Sequence, residues 1–247
     1  MPTSSRLKVA VLYPDHLNIY ADRGNLAFLQ RRCEWRGIGF ESVAVGFGES
    51  IPVNDANLIY IGGGQDRDQA LCAGDLVGVK AAALKDWFAN GQPLLAVCGG
   101  FQLLGLSYSG RNETIPGIAA ADLATAAGSS RLIGPIAIRT DLGGPTDGVL
   151  AGFENHAGRT HLGPKATPLG RVIKGHGNDG ESGFEGVRNG SSIGTYLHGP
   201  LLPKNWWLAD WLIAQSLGIE VEKLGDLDDD FERKAHLSAA RAAGLNE

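Results

Sequence analysis

The stretch LLAVCGGFQLLG, Leu94–Gly105, decides the fold of this 247-residue chain. Four apolar residues of the buried-strand type lead to Cys98, two glycines follow at once, and the leucines after them have helical spacing. Strand, sharp turn and helix in this order place Cys98 at a corner above the carboxyl end of a parallel sheet. Glycine is the residue that tolerates the strained backbone and close chain approach of such a corner.

The surroundings of Cys98 are those of a nucleophile. The positive end of the following helix and the N–H groups of its first turn favour a thiolate. The alternative is a small buried cysteine at the end of a core strand, which is a common place for a free cysteine. Because Leu103, Leu104 and Leu106 already supply packing there, the glycine pair favours the nucleophile.

The composition limits the class of protein. With 43% hydrophobic residues and 36 glycines, the chain is suited to one large α/β domain. The formal net charge is −5 and no basic block occurs, so nucleic acid is not an expected partner. No apolar run is long enough for a signal peptide or a transmembrane segment, and the three cysteines lack paired spacing, which predicts a cytoplasmic protein.

Strand and helix patterns alternate over the first hundred residues. The predicted strands are 7–13, 40–45, 57–61 and 94–97, and the predicted helices are 25–37 and 75–90. This alternation predicts an α/β fold with a central, mostly parallel sheet flanked by helices. After Gly110, short strands with frequent glycine and proline predict extra β-hairpins that extend the sheet or lie across its edge.

One glycine motif in the second half is misleading. Gly175, Gly177 and Gly180 match G-x-G-x-x-G, but no helical pattern follows them. A hairpin loop is therefore expected instead of a dinucleotide site.

Two loops at the carboxyl edge of the predicted sheet carry candidate site groups. After the third strand, Gly62, Gly63 and Gly64 expose backbone N–H groups that can form half of an oxyanion hole, although a flexible turn is the alternative. The loop after the first strand has four polar candidates, which can equally be turn formers and caps. They are Asp15, His16, Asp22 and Arg23.

His198 is the candidate base. It follows the apolar strand Ile193–Leu197 and precedes a Gly-Pro pair. A cysteine nucleophile needs a base within hydrogen-bond distance that also protonates the leaving amine. A lone histidine is more often a surface group, but a strand end is a useful place for a base. His156 and His161 share no face of a regular element, and no zinc-ligand spacing occurs.

Motifs along the chain resemble a known family at two levels. The class I, triad-type glutamine amidotransferases of the cobyric and cobyrinic acid synthase branch are resembled by VCGGFQLLG, the GGG turn and TYLHGP. The narrower family of glutaminase subunits of lipid II isoglutaminyl synthases is resembled, from about Tyr13 to Asn205, by four motifs in order: YPDHLNIYADRGN, GGGQDRDQ, GFENHAGRT and GTYLHGPLLPKN. The resemblance implies a flavodoxin-like amidotransferase domain over residues 1–218 and a C-terminal helical tail over 219–247.

The resemblance also implies roles for single residues. Cys98 attacks the side-chain amide of L-glutamine to form a thioester, and His198 acts as its base. The oxyanion is expected to accept hydrogen bonds from the backbone N–H groups of Gly99 and of Gly63 or Gly64. The substrate is expected to contact Gln102 and an arginine, for which Arg131 is the candidate and Arg139 the competitor.

The sequence does not identify the third member of the catalytic triad. Typical members of the family carry a glutamate two residues after the histidine, where this chain has Pro200. Either the Cys–His pair suffices, or another carboxylate, with Glu154 as the candidate, orients His198.

The chain has no G-x-x-x-x-G-K-[ST] loop. No cofactor or metal is expected in it, and the resemblance implies that ATP and magnesium bind to a Mur-ligase-like partner that amidates D-glutamate in the stem peptide of lipid II. The alternatives are a glutaminase for another synthetase of the corrinoid type, a free cysteine hydrolase, or a non-catalytic binding module.

The end of the chain has its own pattern. A helix ending at Gly218 carries three tryptophans, Trp206, Trp207 and Trp211, more than one core stripe would bury, so a partner surface is an alternative to core. The remainder is expected to be a solvated helical tail without chemistry.

Overall fold

The computed structural model describes residues 5–18, 23–110 and 113–245. Strands and helices alternate in its first half, as predicted. Their bounds are β1 Arg6–Leu12, α1 Arg23–Glu34, β2 Gly39–Val45, β3 Leu58–Ile61, α2 Asp66–Asp75, α3 Ala81–Ala89, β4 Leu94–Val97 and α4 Gly99–Leu103.

The second half is mostly β structure and ends in three helices. The strands are β5 Ser107–Ser109, β6 Thr114–Pro116, β7 Leu123–Arg139, β8 Val149–Leu162, β9 Gly170–Lys174, β10 Phe184–Glu185, β11 Val187–Asn189 and β12 Ser192–Thr195. The helices are α5 Leu201–Lys204, α6 Trp206–Leu217 and α7 Asp230–Ala242. No helix within the described ranges has the length and apolar character needed to cross a bilayer.

The first sheet is mostly parallel and contains the elbow strand at its centre. Its six strands lie in the order β11-β12-β4-β3-β1-β2, and only β11 is antiparallel to its neighbour. All four residues of β4 are buried, because it has β3 on one side and β12 on the other. The carboxyl ends of β3, β4 and β12 therefore meet at one edge, which confirms the predicted α/β sheet.

The strands of the second half divide between two sheets. The hairpin of β11 and β12 extends the first sheet, as predicted, whereas the other six strands form a second sheet in the order β10-β9-β7-β5-β6 with β8 paired to β7. Strands β7 and β8 form a long antiparallel ribbon with a bulge between Ala127 and Leu132. Gly128, Gly134 and Pro135 interrupt the strand pattern of β7, which is why its 17 residues look like shorter pieces in the sequence.

The helix predicted over residues 75–90 begins earlier. Helix α2 starts at Asp66, and a π-helical turn, Leu76–Lys80, joins it to α3. The acidic first turn of α2 is a helix-start signal, but Gly74 and Gly78 conceal the helical periodicity that follows it.

The C-terminal segment is packed, so the expectation of a solvated tail is wrong. His236 of α7 is 2% exposed, and its ring meets the edge of Trp206 at 5.7 Å between ring centroids. Trp206 and Trp207 are buried within this chain, which agrees with the core alternative, whereas Trp211 is only partly buried. Before α7, Asp229 forms an ion pair with the buried Arg32 of α1.

Candidate active site

Cys98 occupies the predicted corner between β4 and α4. Its backbone has φ 52° and ψ −106°, a conformation that is sparsely populated by residues other than glycine. The N–H of Cys98 donates to the carbonyl oxygen of Thr195 at 2.8 Å, and its own carbonyl accepts from the N–H of Gln102 at 3.0 Å. Such strain persists where surrounding bonds enforce it, and it is typical of functional sites.

Glycines let the loop after β3 lie directly against the elbow. The N–H of Gly100 donates to the carbonyl oxygen of Gly62 at 3.2 Å. A Cβ on Gly100 would approach the carbonyl oxygen of Ile61 to 2.7 Å, and a Cβ on Gly99 would approach the backbone nitrogen of Gly64 to 2.9 Å. No side chain fits at these two positions without displacing backbone.

The same contact brings two backbone N–H groups together beside Cys98. Helix α4 begins at Gly99, so the N–H of this residue has no acceptor within the helix. The nitrogen of Gly64 lies against Gly99, and the preceding Gly63 belongs to the same loop. The oxyanion roles of these glycines stay predictions that this arrangement permits.

His198 lies where the two sheets meet. Its N–H donates to the carbonyl oxygen of Phe153 on β8 at 2.8 Å, and the N–H of Phe153 donates back at 3.3 Å. Strand β12 ends at Thr195, earlier than predicted, and its end is bonded to Cys98. His198 therefore follows the strand next to the elbow, and it is 2% exposed.

A cavity of about 340 Å³ opens beside Cys98. Its size is within the range of small-molecule sites, about 300 to 1,000 Å³. The residues that line it are Gly64, Gln65, Asp66, Arg67, Gln69, Cys98, Gln102, Tyr108, Arg131, His156, Ala157 and Gly158. The structure thus brings four predicted site residues, Gly64, Cys98, Gln102 and Arg131, to one cavity.

The two arginine candidates are separated by the structure. Arg131 donates from Nε to Oδ1 of Asn155 and from Nη2 to its carbonyl oxygen, both at 2.7 Å. These two bonds orient its guanidinium at the cavity of Cys98. Arg139, the last residue of β7, lines a different cavity beside α7.

Residues from both sheets form a side-chain network that the sequence did not reveal. Nε2 of Gln102 donates to the hydroxyl of Tyr196 at 2.9 Å, and this hydroxyl lies 2.6 Å from that of Thr160. The ring of Tyr196 stacks on His156 with centroids 3.6 Å apart. The motifs VCGGFQLLG, GFENHAGRT and TYLHGP contain these residues, but they did not reveal the contacts between them.

His156 is a neutral imidazole in this network. Its Nδ1 lies 2.8 Å from the carbonyl oxygen of Gly158, which can only accept, so Nδ1 carries the proton. Burial, helped by the proximity of Arg159, His198 and Arg131, lowers the pKa of His156 to about 4. His156 consequently presents Nε2 as an acceptor at neutral pH.

The structure commits the carboxylate of Glu154 to a loop. One oxygen accepts from the N–H of His176 at 2.7 Å and the other from the N–H of Gly177 at 2.9 Å. Burial raises the pKa of Glu154. These bonds tie it to the β9–β10 turn, so its proposed part in orienting His198 gains no support.

Glu185 is the carboxylate beside the strand that leads to His198. It accepts from the N–H of Tyr196 at 2.6 Å and from the hydroxyl of Thr195 at 3.0 Å. Burial raises its pKa to about 8, although nearby His198 acts in the opposite direction. The sequence did not indicate this residue.

The loop after β1 packs behind the glycine turn. The carbonyl oxygen of Leu17 lies 2.2 Å from where a Cβ of Gly62 would stand. His16 packs against Phe47, and neither it, the exposed Asp15 nor Arg23 lines the cavity of Cys98. Asp22 lies outside the described residues.

The other two cysteines and the second-half glycine motif lie away from the site and supply no chemistry to it. Burial raises the pKa of both Cys33 and Cys72 to about 12, so neither thiol competes with Cys98 as a nucleophile. The G-x-G-x-x-G match lies in the loop between β9 and β10, and no helix follows it, as expected. Over the described part of the chain, no three His, Cys, Asp or Glu side chains are grouped to hold a metal ion.

Comparison with known proteins agrees with the motifs. The family model of the CobB/CobQ-like glutamine amidotransferase domain matches residues 8–206. The chain is 38% identical to the lipid II isoglutaminyl synthase (glutamine-hydrolyzing) subunit GatD of Staphylococcus aureus strain N315, over 90% of this chain and 89% of that protein. The GatD subunit of Streptococcus pneumoniae is 36% identical over 86% of this chain and 81% of that protein.

More distant relatives place the fold. The cobyric acid synthase of Pelotomaculum thermopropionicum is 31% identical over 78% of this chain but only 37% of that protein. PurLQS from Thermotoga maritima has a TM-score of 0.57 at 17% identity, over 85% of this chain and 97% of that chain, a likeness of fold alone. The predicted resemblance, fold class and enzyme class, a glutamine amidotransferase, are confirmed.

Proposed function

This chain belongs to the CobB/CobQ-like glutamine amidotransferase family, and on that premise we propose that it is the glutamine-hydrolysing subunit of a lipid II isoglutaminyl synthase. The observation that carries the proposal is the strained elbow of Cys98, which opens into a cavity shared with Gln102 and Arg131. The similarity to two GatD subunits along most of their length supports the choice of acceptor enzyme.

The proposed reaction begins with attack of the Cys98 sulfur on the side-chain amide carbon of L-glutamine. The tetrahedral oxyanion accepts hydrogen bonds from the backbone N–H groups of Gly99 and of Gly64 or Gly63. His198 takes the thiol proton and gives it to the leaving nitrogen, so that ammonia departs and a thioester remains. His198 then removes a proton from water, which attacks the thioester and releases L-glutamate.

The ammonia has a proposed destination. Amidation of a carboxylate requires its activation, and the sequence has no phosphate-binding loop of the G-x-x-x-x-G-K-[ST] type. An ATP- and magnesium-dependent, Mur-ligase-like partner in the cytoplasm would activate D-glutamate in the stem peptide of lipid II and convert it to D-isoglutamine.

Reconstitution tests this function. The purified chain, the candidate ligase, ATP, magnesium, L-glutamine and lipid II should yield D-isoglutamine in the stem peptide, read by mass spectrometry. A mixture containing the Cys98→Ala variant is the matched control, and it should amidate only when free ammonia is added. Hydrolysis of glutamine without any conversion of the stem peptide would refute the proposed acceptor.

A corrinoid synthetase is the second candidate, favoured by the 31% identity to a cobyric acid synthase. The same reconstitution with a corrinoid acceptor and its synthetase distinguishes the two, because only one acceptor should gain an amide.

A further inference from the structure

Asp66 and Arg131, which carry opposite charges, line two adjoining cavities. The cavity of Cys98 adjoins a second one of about 450 Å³, and both are lined by Asp66, Tyr108, Arg131 and Ala157. Asp66 is the only carboxylate in the described lining of the Cys98 cavity. A cationic and an anionic side chain therefore line the same cavity as the thiol.

Asp66 and Arg131 are held by different neighbours. Asp66 accepts from the hydroxyl of Tyr108 at 3.2 Å, whereas Arg131 donates twice to Asn155. No ion pair joins Asp66 to Arg131 in the part of the chain that the structure describes. A carboxylate has about four acceptor positions and a guanidinium five N–H donors, so both retain capacity for a ligand.

Tyr108 fixes the position of Asp66. Tyr108 is 2% exposed, and its pKa rises to about 12 because of burial and the charge of Asp66. The phenol thus stays a hydrogen-bond donor at neutral pH. Arg131 and Cys98 line the same cavity as Tyr108 and Asp66.

We propose that Asp66 accepts the α-ammonium group of L-glutamine while Arg131 binds the α-carboxylate. The two groups stand on one carbon atom, so their receptors must be adjacent and of opposite charge. The side-chain amide at the far end of the same molecule then extends to Cys98. This subsite rests on the proposed function, since glutamine is its ligand, and it gives Asp66 a role in substrate selection.

Glutaramate tests the subsite, because it is glutamine without the α-amino group. Wild type should prefer L-glutamine by about 10- to 100-fold in kcat/KM, the usual effect of a hydrogen bond between charged groups. Asp66→Asn should lower kcat/KM for L-glutamine by a similar factor and leave glutaramate unchanged. Arg131→Ala should lower both, because both substrates carry the carboxylate.

Asp68→Asn is the matched control. Asp68 shares the acidic first turn of α2 with Asp66 but lines neither cavity. Removing its charge perturbs the helix end equally and should leave the preference for L-glutamine intact. An Asp66→Asn enzyme that keeps the preference, or that loses both substrates equally, would overturn the proposal.

A binding measurement separates this subsite from the proposed function. In the Cys98→Ala variant, calorimetry should show tighter binding of L-glutamine than of glutaramate, and adding Asp66→Asn should remove the difference. If Cys98→Ala shows this preference while the wild-type chain with its partner releases no ammonia from L-glutamine, the subsite is supported and the proposed function is refuted. Hydrolysis without a preference, or no binding of either compound, would refute the subsite.

Discussion

The cavity of Cys98 has two walls of different construction. On the side of the first sheet, the part of the wall next to Cys98 is backbone, because Gly99 and Gly100 of the elbow directly contact the loop Gly62–Gly64. The wall from the second sheet consists of side chains, chiefly Arg131 and His156. The shape of a backbone wall depends on the absence of side chains, so almost any substitution disturbs it. A side-chain wall can be altered one residue at a time by mutation, and its ionisable side chains can titrate.

The largest effect is expected where the two walls meet. Cys98→Ala and His198→Ala should each reduce glutamine hydrolysis by at least about 10³-fold, because one removes the nucleophile and the other its base. Ammonia release measures the loss, and circular dichroism confirms that each variant is folded. Activity near wild type in either folded variant would contradict these assignments.

Within the side-chain wall, the position of Arg131 predicts the next effect. Arg131→Ala should cost on the order of 2–4 kcal/mol in kcat/KM, since the substrate carboxylate loses a bidentate partner. Arg139→Ala is the matched control and should do less, because Arg139 lines a different cavity. The reverse order would show that the carboxylate partner is misassigned.

The backbone wall could be predicted from the sequence because its signals are local. An apolar tetrapeptide, a cysteine and two adjacent glycines specify the corner at Cys98 within seven residues. The three glycines after β3 are equally contiguous. Parallel strands then bring both loops to one edge, whatever the details of the connecting helices.

The contacts among the side chains of the other wall could not be predicted, although Arg131 and Gln102 were named as candidates, because these contacts depend on register. Gln102, His156 and Tyr196 are far apart in the chain, and the long β7–β8 ribbon that positions His156 contains a bulge and internal glycines. The bonds of Glu154 to the β9–β10 turn depend on register in the same way, and its role in orienting His198 stays a prediction. The sequence left the tryptophans between core and partner surface, because the cover that α7 gives Trp206 is a long-range contact.

A wall of side chains should also respond to pH. His156 has a pKa of about 4 when folded against about 6.5 when unfolded, so only the unfolded chain binds a proton between these values. As the pH falls from 6.5 to 4, His156 should therefore withdraw about 3 kcal/mol from the free energy of unfolding. Above pH 6.5 it imposes no such penalty.

His156→Phe isolates this contribution, since it keeps a ring beside Tyr196 but cannot titrate. At pH 7 the variant should be less stable by about 1 kcal/mol, for the lost bond to Gly158. Denaturant titrations across pH 4–7 should show that its stability falls less steeply than that of wild type. Parallel curves would mean that His156 is not buried as a neutral group.

The smallest effect is expected in stability, and it tests the backbone wall. Gly100→Ala adds one methyl group within 2.7 Å of the carbonyl oxygen of Ile61, so it should cost about 1–3 kcal/mol of unfolding free energy and displace the N–H groups beside Cys98. Gly74→Ala adds the same group in α2 where nothing lies within 4 Å, and it should stabilise by about 0.5–1 kcal/mol. Thermal unfolding measures whether each variant is less or more stable than wild type, and glutamine hydrolysis should fall only in Gly100→Ala. If Gly100→Ala were as stable and active as Gly74→Ala, the glycines would not determine the shape of this wall.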